Sequence, residues 1–289
     1  MTNSAADPVS PCVSEQVTAL PAPHLRPFVA SYVGYRMEGF PAGVHAGLPS
    51  RHLTFVVSVD EPVDLVAMPD RAQRPDRFGA LVGGLHVAPA MIRHDGNQHG
   101  VQLKITPAGS RALFGMPAAA LASTIVTLGD VLGASAAEEL RDRLHAARSW
   151  DCRFAILDDV LSRAVREARA ARPEVVRAWD CIAATGGRVD IGSVARDVGW
   201  SRRHLADQFG AEFGHPPKSI ARVMRFERSR LRVMRPGAVL ARVAAECGYA
   251  DQAHMARDWR DLAGASPSAW LAAERLPFVQ GADGDAGAS

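Results

Sequence analysis

Cysteine is scarce in this sequence, and long apolar runs are absent from it. The 289 residues include four cysteines, Cys12, Cys152, Cys181 and Cys247, and no two of them form a Cys-x-x-Cys pair. Such dispersion argues against a disulfide framework or a zinc cluster and is typical of a reducing compartment. No stretch approaches roughly 18 apolar residues, and no charged region followed by an apolar run opens the chain. The sequence therefore predicts a cytoplasmic protein without a membrane segment.

Motifs for nucleotide binding and for hydrolysis are also absent. Gly83 and Gly84 belong to no Gly-x-Gly-x-x-Gly or phosphate-loop pattern, and no Gly-x-Ser-x-Gly elbow occurs. A β-barrel metal site would need a His-x-His pair with a nearby Glu, and no such pair occurs. We predict no catalytic residue, no metal, no cofactor and no enzymatic activity. The histidines weighed as metal ligands, with surface or core histidines as the alternative, are His45, His52, His86, His94 and His99.

One sequence pattern occurs twice near the carboxyl end. The copies run from Val194 to Pro217 and from Val243 to Pro267, at an offset of 49 residues before the central turn and 50 after it. In each copy an Ala follows a β-branched residue, a Gly lies four positions later, and an aromatic residue comes next. A small residue allows close helix packing, and a Gly tolerates positive φ. Each copy therefore predicts a helix, a tight turn and a second helix.

The second helix of each copy has an apolar face and a polar face. Leu205 and Phe209, like Met255 and Trp259, are four residues apart and predict the buried side. Ser201 precedes the first of these helices and predicts an N-cap, as the Ala-Asp pair before Gln252 does for the second. At about 100° per residue, polar and small side chains fall on the outward face. Such a face suits the DNA major groove, although an ordinary solvated helix is the alternative for either copy alone.

This region resembles the DNA-binding domain of the AraC/XylS family of transcriptional regulators, in which a linker helix joins two helix-turn-helix units. Departures from the family pattern are Met255 and Trp259 in place of Phe, and His215-Pro216-Pro217 in place of the common Ser-Pro ending. The family's second-unit signature is met by Ala244, Gly248, Tyr249, Met255, Trp259, Gly264, Ser266 and Pro267. From the resemblance and the outward faces together, the predicted DNA-binding residues are Arg202, Arg203, His204, Ala206, Asp207, Gln252, Ala253, His254, Ala256 and Arg257.

Positive charge is concentrated in the half that carries the repeat. Residues 175–275 hold 16 Lys and Arg against 11 Asp and Glu, whereas the rest of the chain holds 17 against 20. Between the two copies, residues 218–235 carry seven cationic side chains and one acidic one, Glu227. We expect Lys218, Arg222 and Arg225 to reach DNA phosphates, with a merely solvated basic helix as the alternative.

The fold class expected is α+β. A disordered lead over residues 1–20 would precede a mostly antiparallel β domain with helices over 21–172, an all-α domain over 173–276 and a disordered tail over 277–289. Thr106 and Pro107 predict the start of a helix, while Phe28 to Arg36 is compatible with helix or strand. Predicted strands are 53–59, 63–67, 79–87 and 101–105; further predicted helices are 136–147, 151–170 and 175–185.

The segment from Gly100 to Gly133 resembles the sensor-side domain of an actinobacterial AraC-like subgroup. The two resemblances imply a one-component regulator that binds double-stranded promoter DNA near the nucleoid and responds to an unknown small-molecule effector. They also imply homodimerisation through the first half, and contact with RNA polymerase if the protein is an activator. The alternative function is a DNA-repair enzyme that carries an AraC-type DNA-binding domain. Such an enzyme would need a cluster of zinc-ligating cysteines.

Overall fold

The amino-terminal half is a sandwich of two antiparallel sheets. The computed structural model describes residues 12–167 and 169–273. One sheet has six strands in the order β1-β2-β9-β4-β7-β10, and the other has four in the order β3-β8-β5-β6. In β4 every second residue, Leu53, Phe55 and Val57, is fully buried, as expected for a strand with one face on the core. The strands are β1 (Val13–Ala19), β2 (Val29–Glu38), β3 (Gly43–Gly47), β4 (Leu53–Ser58), β5 (Val63–Ala67), β6 (Asp76–Phe78), β7 (Ala80–Gly83), β8 (Ala90–His94), β9 (Gln98–Ile105) and β10 (Ile125–Thr127).

The prediction of a disordered lead over residues 1–20 is wrong for its second part. Residues 13–19 form β1, which pairs along its whole length with β2 at the edge of the larger sheet. Most side chains of β1 are exposed, so the strand is held by main-chain pairing and gives little apolar signal in the sequence. Phe28 to Arg36, left open between helix and strand, lies largely in β2. Residues 1–11 and the predicted tail lie outside the described residues.

Four helices follow or flank the sheets: α1 (Pro107–Phe114), α2 (Leu128–Leu132), α3 (Ala134–Ala146) and α4 (Trp150–Ala164). The predicted start of α1 is confirmed, because the Thr106 side chain accepts a hydrogen bond from the backbone N–H of Gly109. The predicted helix over 151–170 ends at Ala164 instead. Val165 is extended there, and the N–H of Arg166 donates to the carbonyl of Ala112 in α1 at 2.9 Å, so the chain leaves the helix to follow α1.

The carboxy-terminal half is all helical, as predicted. Its helices are α5 (Pro173–Ala184), α6 (Ile191–Asp197), α7 (Arg202–Phe213), α8 (Pro217–Val233), α9 (Leu240–Glu246), α10 (Gln252–Ala263) and α11 (Pro267–Ala273). Helices α6 and α7 form the first helix-turn-helix unit, and α9 and α10 form the second. Gly199 and Gly248, the turn glycines of the repeat, have φ of 74° and 78°, the left-handed conformation that the sequence predicts.

Helix α8, which joins the two units, is the most enclosed helix of this half. Ten of its 17 residues are buried, and its aromatic Phe226 meets Trp259 of α10 at 5.0 Å between ring centroids. The indole N–H of Trp259 donates to the hydroxyl of Ser229 at 2.9 Å. The other side of α8 faces the sandwich, where Glu227 pairs with Arg51 at 3.0 Å. The linker helix therefore packs against both halves.

Across the two described segments, none of the helices combines the length and apolar character needed to span a bilayer.

Candidate nucleic-acid interface

Helix α7 presents the predicted outward face of the first unit. Its inward residues Leu205 and Phe209 are fully buried, and Trp179 of α5 stacks on Phe209 at 6.0 Å between ring centroids. Ser201 caps the helix by accepting a hydrogen bond from the N–H of His204. Arg202, Arg203, His204 and Asp207 are exposed, and Ala206 is half-buried beside them.

Helix α10 repeats this arrangement in the second unit. Met255 and Trp259 are fully buried, and Asp251 caps the helix by accepting a hydrogen bond from the N–H of His254 at 2.6 Å. His254 also packs edge-on against Tyr249, with 5.3 Å between the ring centroids. The predicted outward residues are placed as follows: Gln252, Ala253 and Arg257 are exposed, and His254 and Ala256 are half-buried.

Two arginines of these faces have no acidic partner. In the described part of the chain, neither Arg203 nor Arg257 forms an ion pair, although Asp207 follows Arg203 by four positions on the same helix. Arg202 is different, since its guanidinium lies 3.9 Å from the carboxylate of Asp190 at the start of α6. Arg203 and Arg257 therefore keep all five N–H donors for an external acceptor such as a guanine edge.

The contacts of α8 change the assignment of the expected phosphate-binding residues. Arg222 donates to the carboxylate of Asp258 at 2.6 Å and also pairs with Asp261. Arg225 lies 3.8 Å from Asp258 and stacks over Tyr249, with 5.5 Å to the ring centroid. Both guanidinium groups thus attach α8 to α10, and we withdraw them as phosphate ligands. Lys218, at the exposed start of α8, keeps that assignment.

Two buried carboxylates, one on α7 and one on α10, were not predicted from the sequence. Glu212 of α7 is 8% exposed and Asp258 of α10 is 6% exposed. Each follows an inward residue by three positions, Phe209 and Met255 respectively, so both lie on the buried face. A charged residue at an inward helical position is the signal that could have revealed them, because a buried carboxylate requires a cationic partner.

The histidines of the sandwich differ in burial: His86 is buried, and His45, His52, His94 and His99 are half-buried. Within the described residues, no group of three or more His, Cys, Asp and Glu is arranged to hold a metal ion. Burial lowers the pKa of His86 to about 4, although its Nδ1–H donates to the carbonyl of Ala88 at 2.6 Å. The four cysteines are free and dispersed. The cluster of zinc-ligating cysteines that the DNA-repair alternative requires is therefore not found among the described residues.

The comparison with protein families agrees with the repeat. A family model described as "Helix-turn-helix domain" matches residues 194–273. An AraC-type DNA-binding domain-containing regulator from Chromobacterium violaceum is similar at 21% identity over 37% of this chain and 96% of that one, with a TM-score of 0.33. The carboxy-terminal domain of AraT from Geobacillus stearothermophilus is similar at 19% identity over 38% and 92%, with a TM-score of 0.35.

A longer match extends over both halves. The apo form of a ToxT point variant from Vibrio cholerae covers 83% of this chain and 96% of its own, at 8% identity and a TM-score of 0.52. That likeness shows a shared two-domain fold, with a β-rich first half and a helical second half. No curated protein sequence matches the chain.

Proposed function

We propose that this chain is a one-component transcription regulator of the AraC/XylS type that binds promoter DNA through α7 and α10, because residues 194–273 match a helix-turn-helix domain. The observation that carries the proposal is the pair of outward faces. Each presents an exposed arginine without an acidic partner, Arg203 or Arg257, beside a small residue, Ala206 or Ala256. A face of this kind allows a helix to lie close to the base edges.

The two helices would enter successive major-groove segments on one side of the duplex, roughly 34 Å apart. Because α7 and α10 carry different outward residues, the site of one monomer would be non-palindromic. The guanidinium groups of Arg203 and Arg257 would read guanine, and Gln252 would read adenine. The side chains of Ala206, Ala253 and Ala256 would offer a methyl contact to thymine.

The decisive experiment is a fluorescence-anisotropy titration of the full chain against its own upstream DNA and a scrambled duplex, at two salt concentrations. Replacing Arg203 or Arg257 by Ala should cost about 1–3 kcal/mol on the upstream DNA and little on the scrambled one. Equal losses on both duplexes would mean that these arginines contact phosphates. Upstream DNA bound no better than scrambled DNA, at both salt concentrations, would contradict the proposal.

Lys218 provides a second, independent readout. Its replacement by Ala should weaken binding to both duplexes alike and make the salt dependence shallower by about one unit, because one phosphate contact is lost. Arg228 of α8, which is half-buried, is the matched control and should leave the salt slope unchanged. A salt slope unaffected by Lys218→Ala would remove this residue from the interface.

The sandwich would supply the regulatory part of the proposal. A cavity of about 730 Å³ opens between the two sheets, within the range of small-molecule sites. Tyr35, His94 and His99 are among its lining residues, and the ring N–H of His99 lies 3.0 Å from Asp60. We propose this cavity as the effector site.

Homodimerisation through the first half, and contact with RNA polymerase in an activator, belong to the same proposal. Sedimentation checks the first, and transcription in vitro checks the second.

A further inference from the structure

The cavity between the two sheets, called here the sandwich cavity, is lined mainly by acidic groups. Its carboxylates outnumber the guanidinium groups of Arg77 and Arg93, although the chain as a whole carries a formal net charge of +2. The acidic residues of the lining are Glu38, Asp60, Glu61, Asp64 and Asp95. Burial lowers the pKa of His94 and of His99, which also line the cavity, so both rings are neutral at pH 7 and do not offset these charges. A cleft lined by one sign of charge attracts ligands of the opposite sign.

Two of the five carboxylates have no cationic partner. The other three are paired with arginines: Glu38 with Arg36 at 2.7 Å, Glu61 with Arg77 at 3.7 Å and Asp64 with Arg93 at 3.6 Å. Asp60 lies 3.0 Å from the ring Nδ1 of the neutral His99. Asp95 accepts a hydrogen bond from the backbone N–H of Asn97 at 2.9 Å, and this bond lowers its pKa and keeps it ionised. Among the described residues, neither Asp60 nor Asp95 forms an ion pair with a lysine or an arginine.

The hydroxyl of Tyr35 is a further polar group of this cavity that lacks a partner. Tyr35 lies in β2, lines the cavity and is 7% exposed. Gly100 of β9 lies directly across the sheet, where a Cβ would come within 2.7 Å of the hydroxyl oxygen, so the glycine leaves the space that the hydroxyl occupies. Burial raises the pKa of Tyr35, and its hydroxyl forms no hydrogen bond with any residue that the structure describes. Because buried polar groups normally have partners, this hydroxyl points to a ligand.

Apolar side chains complete the wall around Tyr35. Met37, Pro62 and Val63 line the cavity, and Phe40 packs against Tyr35 and Met37. An aromatic ring beside carboxylates suits an ammonium group, because the face of the ring and the carboxylates both attract positive charge. The volume of about 730 Å³ leaves room for an apolar body attached to that group.

We propose that the sandwich cavity binds a small organic cation, a primary amine with an apolar body. Its ammonium group is attracted by Asp60 and Asp95 and donates a hydrogen bond to the hydroxyl oxygen of Tyr35, while its body packs against Met37 and Val63. This inference rests on the proposed function, since it assigns a ligand class to the proposed effector site.

The charge of the ligand is tested by isothermal titration calorimetry of the full chain with two matched pairs of probes. Benzylamine is compared with benzyl alcohol, and tryptamine with tryptophol, so that each pair differs in an ammonium or a hydroxyl group. At least one amine should bind at least about tenfold more tightly than its alcohol, because a charge-assisted hydrogen bond replaces a neutral one. Alcohols that bind as tightly as the amines, or amines that do not bind at millimolar concentration, would overturn the proposal.

The two unpaired carboxylates are tested with the combined variant Asp60→Asn and Asp95→Asn. It should bind the preferred amine about tenfold more weakly and leave the affinity for the matched alcohol unchanged, which also shows that the cavity is intact. The control for net charge is Glu138→Gln with Asp142→Asn, two exposed carboxylates of α3 that form no ion pair among the described residues. Equal losses of amine affinity in both double variants would exclude Asp60 and Asp95 as the cation site.

The hydroxyl of Tyr35 is tested by Tyr35→Phe against Tyr32→Phe. Tyr35→Phe should weaken binding of the amine about threefold without lowering the melting temperature, because the hydroxyl has no partner in the protein to lose. Tyr32→Phe should do the reverse, since the hydroxyl of Tyr32 donates to Asp158 at 2.9 Å and lies outside the cavity. A Tyr35→Phe variant that is less stable and binds the amine normally would show that the hydroxyl has a structural role instead.

Failure of this inference and failure of the regulator proposal are distinguishable. Specific binding to the upstream duplex without a preference for amines would remove the ligand class and leave the regulator. Carboxylate-dependent binding of an amine without specific binding to DNA would remove the regulator and leave the cation site.

Discussion

The two helix-turn-helix units share their turn glycines, their caps and their buried apolar pairs, yet they are held in place differently. The recognition helix α10 is attached within its own domain, through Asp258 to Arg222 and Arg225 of α8. The recognition helix α7 is attached to the other domain, through Glu212 to Arg111. The repeat thus preserves the turns, the caps and the buried apolar pairs, and it changes the residues that anchor each helix. We infer that DNA-facing geometry and domain attachment are separate properties of each unit.

The comparison extends to the residue that ends each recognition helix. Gly214 and Gly264 correspond in the repeat and have φ of 78° and 75°. A Cβ on Gly264 would meet no atom within 4 Å, whereas a Cβ on Gly214 would overlap that of Ala122 in the sandwich domain. Next to this glycine, the ring Nε2 of His215 lies 2.9 Å from the carbonyl oxygen of Leu85. Among the described residues, the cap glycine of the first unit lies at the domain junction, whereas that of the second unit does not.

The largest expected effect comes from breaking the attachment of α10. Asp258→Ala would leave partly buried guanidinium groups without their inner carboxylate and should lower the free energy of unfolding by about 4 kcal/mol. Asp261→Ala removes the outer carboxylate, which is 63% exposed, and should cost less than about 1 kcal/mol. Urea unfolding of the full chain measures both. Similar losses for the two variants would refute the view that the inner carboxylate anchors α10.

A smaller effect is expected from the paired glycines. Gly264→Ala should cost about 1 kcal/mol, because its left-handed backbone disfavours a Cβ. Gly214→Ala carries the same penalty and in addition forces the junction apart, so it should cost about 2 kcal/mol more. Thermal and urea unfolding of both variants give the difference. If Gly214→Ala is no worse than Gly264→Ala, the cap of α7 is not seated on the sandwich domain.

The effect that is smallest at neutral pH comes from the sandwich side of the junction, and it grows only as the solution becomes acidic. His86 neighbours Leu85, and burial lowers its pKa from 6.5 to about 4. The unfolded chain therefore binds a proton between these values that the folded chain does not. Stability should be unaffected by this residue above pH 6.5 and fall by about 1.4 kcal/mol per unit as the pH drops towards 4. His86→Asn should remove that part of the slope. His24, on the exposed surface, is the control, and an unchanged slope in His86→Asn would exclude His86 as its source.

The repeat made the helical domain predictable, because caps, turn glycines and inward apolar pairs are local features. Ser201, Gly199 and the Leu205–Phe209 pair each report the conformation of their immediate neighbours. The outward faces follow from the same periodicity, and their role in DNA binding stays a prediction. The strands β3, β6, β8 and β10 were missed because they are short, and β3, β6 and β8 also contain glycine or charged residues.

The ion pairs of the arginines on α8 could not be predicted, because their acidic partners lie far away in the sequence. Arg222 pairs with residues 36 and 39 positions further on, and Arg111 pairs with one 101 positions away. A run of positive charge reads the same in a sequence whether its members face solvent or carboxylates. The same limit hid β1, whose main-chain pairing with β2 leaves no periodic trace.

The linker helix restricts how this protein can be recombined with others. Glu227 is 7% exposed, and its carboxylate accepts hydrogen bonds from both the backbone N–H and the side chain of Arg51. A chimaera that joined this helical domain to the amino-terminal domain of another protein would leave the carboxylate of Glu227 without its hydrogen-bond donors. Such grafts would need a compensating change at Glu227, to Gln or a small apolar residue, before they yielded a soluble hybrid.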